Sequence, residues 1–390
     1  MSVLEDLIKK HCPNGVEYVP LWSITIWDKK FNSVDKKKQS NTIKYKYYLA
    51  DELKQLIVPN GNVKILTTNC SDLFTVEELV NDTLTDGEVV CIPWGGNPIV
   101  QYYKGKFITS DNRIATSIDI NKLDNKFLYY VLINKLDLIS SFYRGAGIKH
   151  PDMSRVLDIN IPLPPIEVQK EIVRILDAFT EYQNCLNEEL TLRKKQYEYY
   201  RDKLLTFGDD VEWKNLSEIA EIGTGSSNTN EEIENGKYPF FVRSQEVRSK
   251  NEYEYDETAI ITSGDGVGVG KIFHYVEGKY ALHQRAYRIH IIDKNVIPKY
   301  YFYYMKTTFL SYIEKTSFHS SVTSIRRPML NNFPVPVPPL EEQERIVKIL
   351  DRFDALCNDI SSGLPAEIEM RKKQYEYYRD KLLTFKEKKK

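Results

Sequence analysis

Apolar positions in this chain change period at two places. After Pro164-Pro165 they fall at Ile172, Leu176, Phe179, Leu186 and Leu190, then at Tyr197, Tyr200, Leu204 and Phe207. The three-four-three spacing at the end is a heptad-like seam. Prolines ahead of the first turn suit a helix start, and Glu167 and Glu171 favour its positive end. Residues 167–207, if all helical, span roughly 60 Å at about 1.5 Å per residue. The pattern returns after Pro338-Pro339 with Ile346, Leu350, Phe353, Ile360, Ile368, Tyr375, Tyr378, Leu382 and Phe385. Here Ser361-Ser362-Gly363-Leu364-Pro365 predicts a kink or break. Outside these stretches, short apolar runs bounded by turn residues predict strands. Residues 87–93 precede Trp94-Gly95-Gly96-Asn97, and residues 258–262 precede a glycine-rich loop over 263–271.

The two helices are copies of one another. Residues 193–207 read RKKQYEYYRDKLLTF, and residues 371–385 read the same. Leu163-Pro164-Pro165-Ile166-Glu167-Val168-Gln169 matches Val337-Pro338-Pro339-Leu340-Glu341-Glu342-Gln343 at an offset of 174, whereas the terminal string is offset by 178. The second copy therefore carries four extra residues, placed at the 361–365 interruption. Weaker matches reach back into the modules. Val16-Glu17-Tyr18 resembles Val211-Glu212-Trp213, Gly105-Lys106-Phe107 resembles Gly278-Lys279-Tyr280, and Tyr129-Tyr130 resembles Tyr303-Tyr304. The chain thus reads as an α/β (α+β) duplication with an internal pseudo-two-fold repeat. Its segments are a module over 1–163, a helix over 164–207, a second module over 208–337, and a second helix with a basic tail over 338–390. A pseudo-two-fold axis predicts that the helices pair antiparallel. Leu186, Leu190, Tyr197, Tyr200, Leu204, Phe207, Tyr375, Tyr378, Leu382 and Phe385 are then structural seam residues.

Composition adds limits. At 390 residues the chain exceeds one ordinary domain, and 42% hydrophobic with 28% charged residues is a normal globular balance. No apolar run approaches the length of a membrane span, and the first ten residues lack a signal-peptide core. Five cysteines without a C-x-x-C pair read as reduced thiols in a cytoplasm. The formal net charge of −1 counts mildly against DNA binding by the chain alone, without excluding local basic patches.

Candidate chemistry is polar and non-catalytic. Neither the histidines nor the cysteines show metal-ligand spacing, and no nucleophile elbow is present. The 263–271 loop fails as a phosphate-binding loop, because Gly270-Lys271 is followed by Ile272 and the required first glycine is Asp265. A strand-to-strand turn explains it better. Asp111-Asn112-Arg113 and His283-Gln284-Arg285 stand at matching places, and forked side chains of this kind read base edges; a capped turn with a surface arginine fits equally. The DNA-contact candidates are Trp94, Asn97, Asn112, Arg113, Arg144, Lys149, His150, Arg243, Gln245, Asp265, Lys271, His283, Gln284, Arg285, Arg326 and Arg327. Lys36-Lys37-Lys38 reads more simply as a solvated face.

The plan of module, proline-initiated helix, divergent module and near-identical helix resembles the specificity subunit of type I restriction–modification systems. The doubled Pro-Pro-x-Glu-x-Gln block and the doubled terminal string carry the resemblance. It implies two target-recognition domains, each reading half of a bipartite double-stranded DNA site in the major groove, held apart by an antiparallel coiled coil. It implies two modification subunits that methylate adenine with S-adenosylmethionine, and restriction subunits that translocate and cleave DNA, with no cofactor in this chain. Asn97-Pro98 is followed by Ile99 and is not a methyltransferase motif. A protein- or glycan-binding scaffold and an unrecognised nucleic-acid enzyme are the alternatives.

Overall fold

Seams as long as these outrun the surface of one module, and the structure divides each repeat inside its helix. The computed structural model describes residues 2–316 and 324–388, so His319 lies outside the described residues. One unit comprises residues 1–185 with 369–390, and the other comprises residues 186–368.

In chain order the first unit holds α1 (Ser2–His11), β1 (Glu17–Pro20), β2 (Thr25–Trp27), α2 (Ala50–Leu56), β3 (Val63–Leu66), β4 (Phe74–Thr75), β5 (Thr85–Pro93), β6 (Gln101–Thr109) and β7 (Asn112–Ser117). It continues with α3 (Asn125–Asn134), α4 (Leu136–Ser140), β8 (Tyr143–Arg144), β9 (His150–Pro151), α5 (Met153–Leu157) and β10 (Asn160–Leu163). Helix α6 (Ile166–Leu204) then passes from the first unit into the second. The second unit holds β11 (Glu212–Asn215), α7 (Leu216–Ile219), β12 (Ala220–Thr224), β13 (Tyr238–Phe241), β14 (Arg248–Lys250), β15 (Tyr255–Ser263), β16 (Phe273–Leu282) and β17 (Ala286–Ile291). After α8 (Pro298–Thr316), α9 (Arg327–Asn331) and β18 (Pro334–Val337), the second copy of the long helix is split into α10 (Leu340–Asn358) and α11 (Leu364–Leu382).

The sheets repeat one topology. The first is ordered β2-β7-β5-β6-β3-β4 and the second β12-β17-β15-β16-β13-β14, antiparallel except for the parallel pairs β3–β6 and β13–β16. Two-stranded ribbons β1–β10 and β11–β18 accompany them. Register aligns Gly105-Lys106-Phe107 with Gly278-Lys279-Tyr280, since Phe107 faces Thr85 and Tyr280 faces Tyr255 at the starts of β5 and β15.

The Pro-Pro-x-Glu-x-Gln block has a specific task. Gln169 and Gln343 are fully buried. Gln169 accepts from the Asp124 amide at 2.9 Å and donates to Lys122 and Pro164 carbonyls, each at 2.7 Å. Gln343 accepts from Ile297 at 2.8 Å and donates to Asn295 at 2.9 Å and Pro338 at 2.8 Å. Each glutamine satisfies backbone groups at the entry to its module's main helix and at its own helix start, which a buried chain cannot leave unpaired. Two turns on, Asp177 accepts from Tyr130 at 2.5 Å and Lys126 at 2.7 Å. Asp351 accepts from Tyr303 at 2.6 Å and pairs with Lys299 at 3.0 Å. Tyr130 therefore corresponds to Tyr303, so the expected match of Tyr129-Tyr130 with Tyr303-Tyr304 is one residue out of step.

The seams pair antiparallel within each unit. In the first, Phe179 stacks on Tyr378 with ring centroids 5.5 Å apart and meets Tyr375 at 6.5 Å, while Arg371 lies 5.4 Å over Tyr182. In the second, Phe353 stacks on Tyr200 and packs on Tyr197, each at 6.0 Å. Each copy of the fifteen-residue string thus packs against the other copy's helix start. The chain ends also meet inside the first unit: Val16 donates to Lys386 at 2.8 Å, Lys388 donates to Val16 at 2.9 Å, and the Tyr18 hydroxyl donates to Phe385 at 3.1 Å. In the second unit the chain runs straight on from Phe207, and Trp213 takes the place of Tyr18, donating to Gly208 at 3.1 Å.

The break in the second helix falls where glycine and proline predict it. The Asp359 carboxylate accepts from the Ser361 amide at 2.7 Å and from the Ser361 and Ser362 hydroxyls at 2.6 and 2.5 Å, and these bonds pull its pKa down to about 2. Among the described residues, no helix is long and apolar enough to cross a membrane. Gln169→Leu should orphan three backbone groups, at about 1–3 kcal/mol for each left unpaired. Hydrogen exchange should then quicken at Asp124, and Gln343→Leu should do the same at Ile297. Unchanged protection at those amides would show that the glutamines are dispensable.

Candidate nucleic-acid interface

In the first unit the β5–β6 loop gathers an aromatic and cationic cluster. Trp94 is held by its amide donating to Asp111 at 3.0 Å, and its ring lies 5.1 Å from His150. Nδ1 of His150 lies 2.7 Å from the Trp94 carbonyl, and the Gly96 amide donates to Lys149 at 3.1 Å. His150 faces Arg144 across the β8–β9 pair. Asn97, Arg144, Lys149 and His150 are all exposed. The structure adds a residue that sequence reasoning missed: Lys29 places its ammonium 5.4 Å over Trp94 and 5.9 Å over Tyr47. The only signal in the chain is a Lys29-Lys30 pair just past β2, which does not announce a tryptophan 65 positions away.

Asn112 and Arg113 do not belong to this surface, because both are fully buried. Nη1 of Arg113 donates to Asp28 at 2.7 Å, and Nη2 donates to Asp111. Asp28 also accepts from Tyr47 at 2.6 Å and from the Ile114 amide at 2.9 Å. Burial pushes the Asp28 pKa up, against the Tyr47 hydrogen bond and the Arg113 charge. The Arg113 guanidinium stacks 4.7 Å from Trp94, so it supports the cluster from beneath. Asn112 donates to the Leu66 carbonyl at 3.0 Å.

Strand register explains the correction. Asn112 faces Pro93 and Ala286 faces Ser263, at equivalent ends of β5 and β15. Arg113 therefore corresponds to Tyr287, inside the sheet. The turn before β7 is Ser110-Asp111, whereas the turn before β17 is His283-Gln284-Arg285, and the longer turn leaves Arg285 outside. Arg285 thus aligns with Asp111, in the turn, two residues before the position that corresponds to Arg113.

In the second unit the loops carry an arginine pair about one carboxylate. Nη1 of Arg243 donates to Oδ1 of Asp265 at 2.7 Å, and Nη1 of Arg285 donates to Oδ2 at 3.1 Å. Partial burial opposes ionisation of Asp265, but the bonds from Arg243 and Arg285 hold its pKa below the ordinary aspartate value. Gln284 bonds Asn228. Gln245, Lys271, Gln284 and Arg326 are exposed around this group. His283 is not: it is 4% exposed, and its Nδ1 accepts from the Arg285 amide at 3.0 Å, so it shapes the turn. Arg327, though exposed, is tied down through Nη2 to the Ile222 carbonyl at 2.5 Å. Lys38 likewise pairs with Asp158 at 2.5 Å.

Arg113→Met should leave Asp28 buried without its partner charge, at a cost of about 3–5 kcal/mol. Arg285→Ala, on the surface, should stay within about 0.5 kcal/mol of the parent. Denaturant unfolding of both variants checks the contrast, and equal midpoints would refute the assignment of Arg113 to the core.

Comparisons with known proteins agree on one family. A family model described as "Type I restriction modification DNA specificity domain" matches residues 23–193 and 208–370. The chain is 36% identical over 308 residues to the type I restriction enzyme EcoR124I/EcoR124II specificity subunit of Escherichia coli, covering 71% of this chain and 75% of that one. It is 30% identical over 365 residues to a putative type I restriction enzyme specificity subunit of Haemophilus influenzae, covering 85% and 91%. The crystal structure of a type I restriction–modification S subunit from M. genitalium shares the fold, with a TM-score of 0.64 at 17% identity over 95% of this chain and 96% of that one. Two sheets of one topology, each with its own loop cluster, are the two target-recognition domains of such a protein, and this chain belongs to the type I restriction–modification DNA-specificity subunits, whose role is recognition and not catalysis.

Proposed function

We propose that each unit reads one half of a bipartite DNA site through the loops described above. In the first unit the readers are Trp94, Asn97, Arg144, Lys149 and His150, joined by Lys29. In the second they are Arg243, Gln245, Asp265, Lys271, Gln284, Arg285 and Arg326. One observation carries this reading: the two sheets share one strand order, while their loop ends differ, with Trp94 and His150 in one and an arginine pair about Asp265 in the other. A shared frame with divergent ends is what two different half-sites require.

Helices α6, α10 and α11 set the half-site spacing and dock two modification subunits, which hold S-adenosylmethionine and methylate adenine, while restriction subunits translocate and cleave. The setting is the cytoplasm. The near-neutral net charge supports a shared task, since phosphate neutralisation sets much of DNA affinity and this chain alone has little excess charge to offer.

Two measurements follow. The chain alone should bind DNA weakly and lose binding steeply with salt, whereas its complex with modification subunits should methylate a bipartite site. Methylation without sequence preference would refute the reading. Deleting residues 363–366 would shorten a straight helix by about 6 Å, near two base pairs at about 3.4 Å each. The second helix is already interrupted after Asn358. The spacer in the mapped sites should therefore stay the same, and a spacer shortened by two base pairs would contradict this account.

A further inference from the structure

Arg285 is fixed at both ends. Its amide donates to His283 at 3.0 Å, and its carbonyl accepts from Gly264 at 2.9 Å. A Cβ on Gly264 would lie 2.5 Å from that carbonyl, so only glycine lets the two loops approach this closely. At the other end its Nη1 is held by Asp265, which holds Nη1 of Arg243 with its second oxygen. A glycine also brings Arg243 close, since a Cβ on Gly268 would lie 3.2 Å from the Arg243 carbonyl.

Both guanidinium groups remain open, with side-chain exposures of 40% for Arg243 and 62% for Arg285, against 25% for Asp265. Because Nη1 is the bonded atom in each, the side edge formed by Nε and Nη2 has no other acceptor among the described residues. That edge presents two parallel donors, the complement of guanine O6 and N7 in the major groove. We propose that the second unit reads guanine with Arg243 and Arg285, and that Asp265 is the positioning residue that aims both forks. The first unit lacks this arrangement among the described residues: Arg113, at the equivalent sheet end, is buried against Asp28, and the exposed Arg144 beside His150 forms no ion pair with a carboxylate. An arginine pair aimed by one shared carboxylate is therefore confined to the second unit. The proposal rests on the bipartite reading given above.

The test uses the full chain in complex with its modification subunits, with methylated sites mapped across a random-sequence library. Arg243→Ala and Arg285→Ala should each lower discrimination at a guanine of the same half-site by about ten- to a hundredfold, leaving the other half-site as in the parent. Arg285→Lys keeps the charge and loses the fork. It should lose the same discrimination while salt-sensitive binding to unrelated DNA stays within about twofold. Asp265→Asn should relax the same positions that the two alanine variants relax. Either alanine variant that leaves both half-sites unchanged overturns the proposal, and so does full discrimination by Arg285→Lys. A parent complex that methylates without sequence preference removes the bipartite reading, and the proposal with it.

Discussion

Two buried glutamines hold this architecture in place. A recognition module can be positioned by a helix only if the chain entering that helix is fixed against the module. Gln169 and Gln343 do this with three hydrogen bonds each, to backbone groups that would otherwise be orphaned in the core. The tyrosine-aspartate contacts two turns later, Tyr130 with Asp177 and Tyr303 with Asp351, prolong the attachment. These polar contacts are directional, which hydrophobic burial is not. Each therefore sets the angle of the helix as well as its attachment.

With the helix starts fixed, the seams have to find partners further along. Phe179 packs with Tyr375 and Tyr378, and Phe353 with Tyr197 and Tyr200. Each aromatic pair contributes about 0.5–1.5 kcal/mol beyond its buried area. The arrangement accounts for the identity of the two strings, since each copy packs against the same kind of surface. It also accounts for the abundance of tyrosine. A tyrosine ring fills the seam or core while its hydroxyl reaches a carboxylate or carbonyl, as with Tyr130, Tyr301 and Tyr303. The hydrogen bonds from Val16 and Tyr18 to the segment after Leu382 do for the chain ends what a covalent connection does after Phe207.

The candidate interface follows from the sheets. A loop between adjacent antiparallel strands can change its sequence and length without disturbing the hydrogen-bonded frame. One more residue in the turn before β17 than before β7 puts Arg285 outside the sheet, where Arg113 is drawn in. The first unit presents Trp94, His150, Lys149 and Arg144, and the second presents two arginines about a carboxylate. That contrast is the physical ground for proposing two half-sites of different sequence.

The chain by itself determined the duplication, the helices and their antiparallel partnership, and the interruption near Gly363. These rest on local signals: a period of three and four, prolines at the starts, glycine and proline at the break, and a repeated string that admits no other explanation. It also determined which loops carry polar chemistry, because glycine-rich turns after strands are visible in one dimension. Only the tertiary structure decided which of those side chains face outward. Asn112, Arg113 and His283 read as surface chemistry, and they are core because strand register and turn length, not residue type, choose the face. Only the fold could pair Arg113 with Asp28, 85 positions away, or set Lys29 over Trp94. Such contacts depend on how strands separated in the chain come to lie side by side, and no local pattern encodes that.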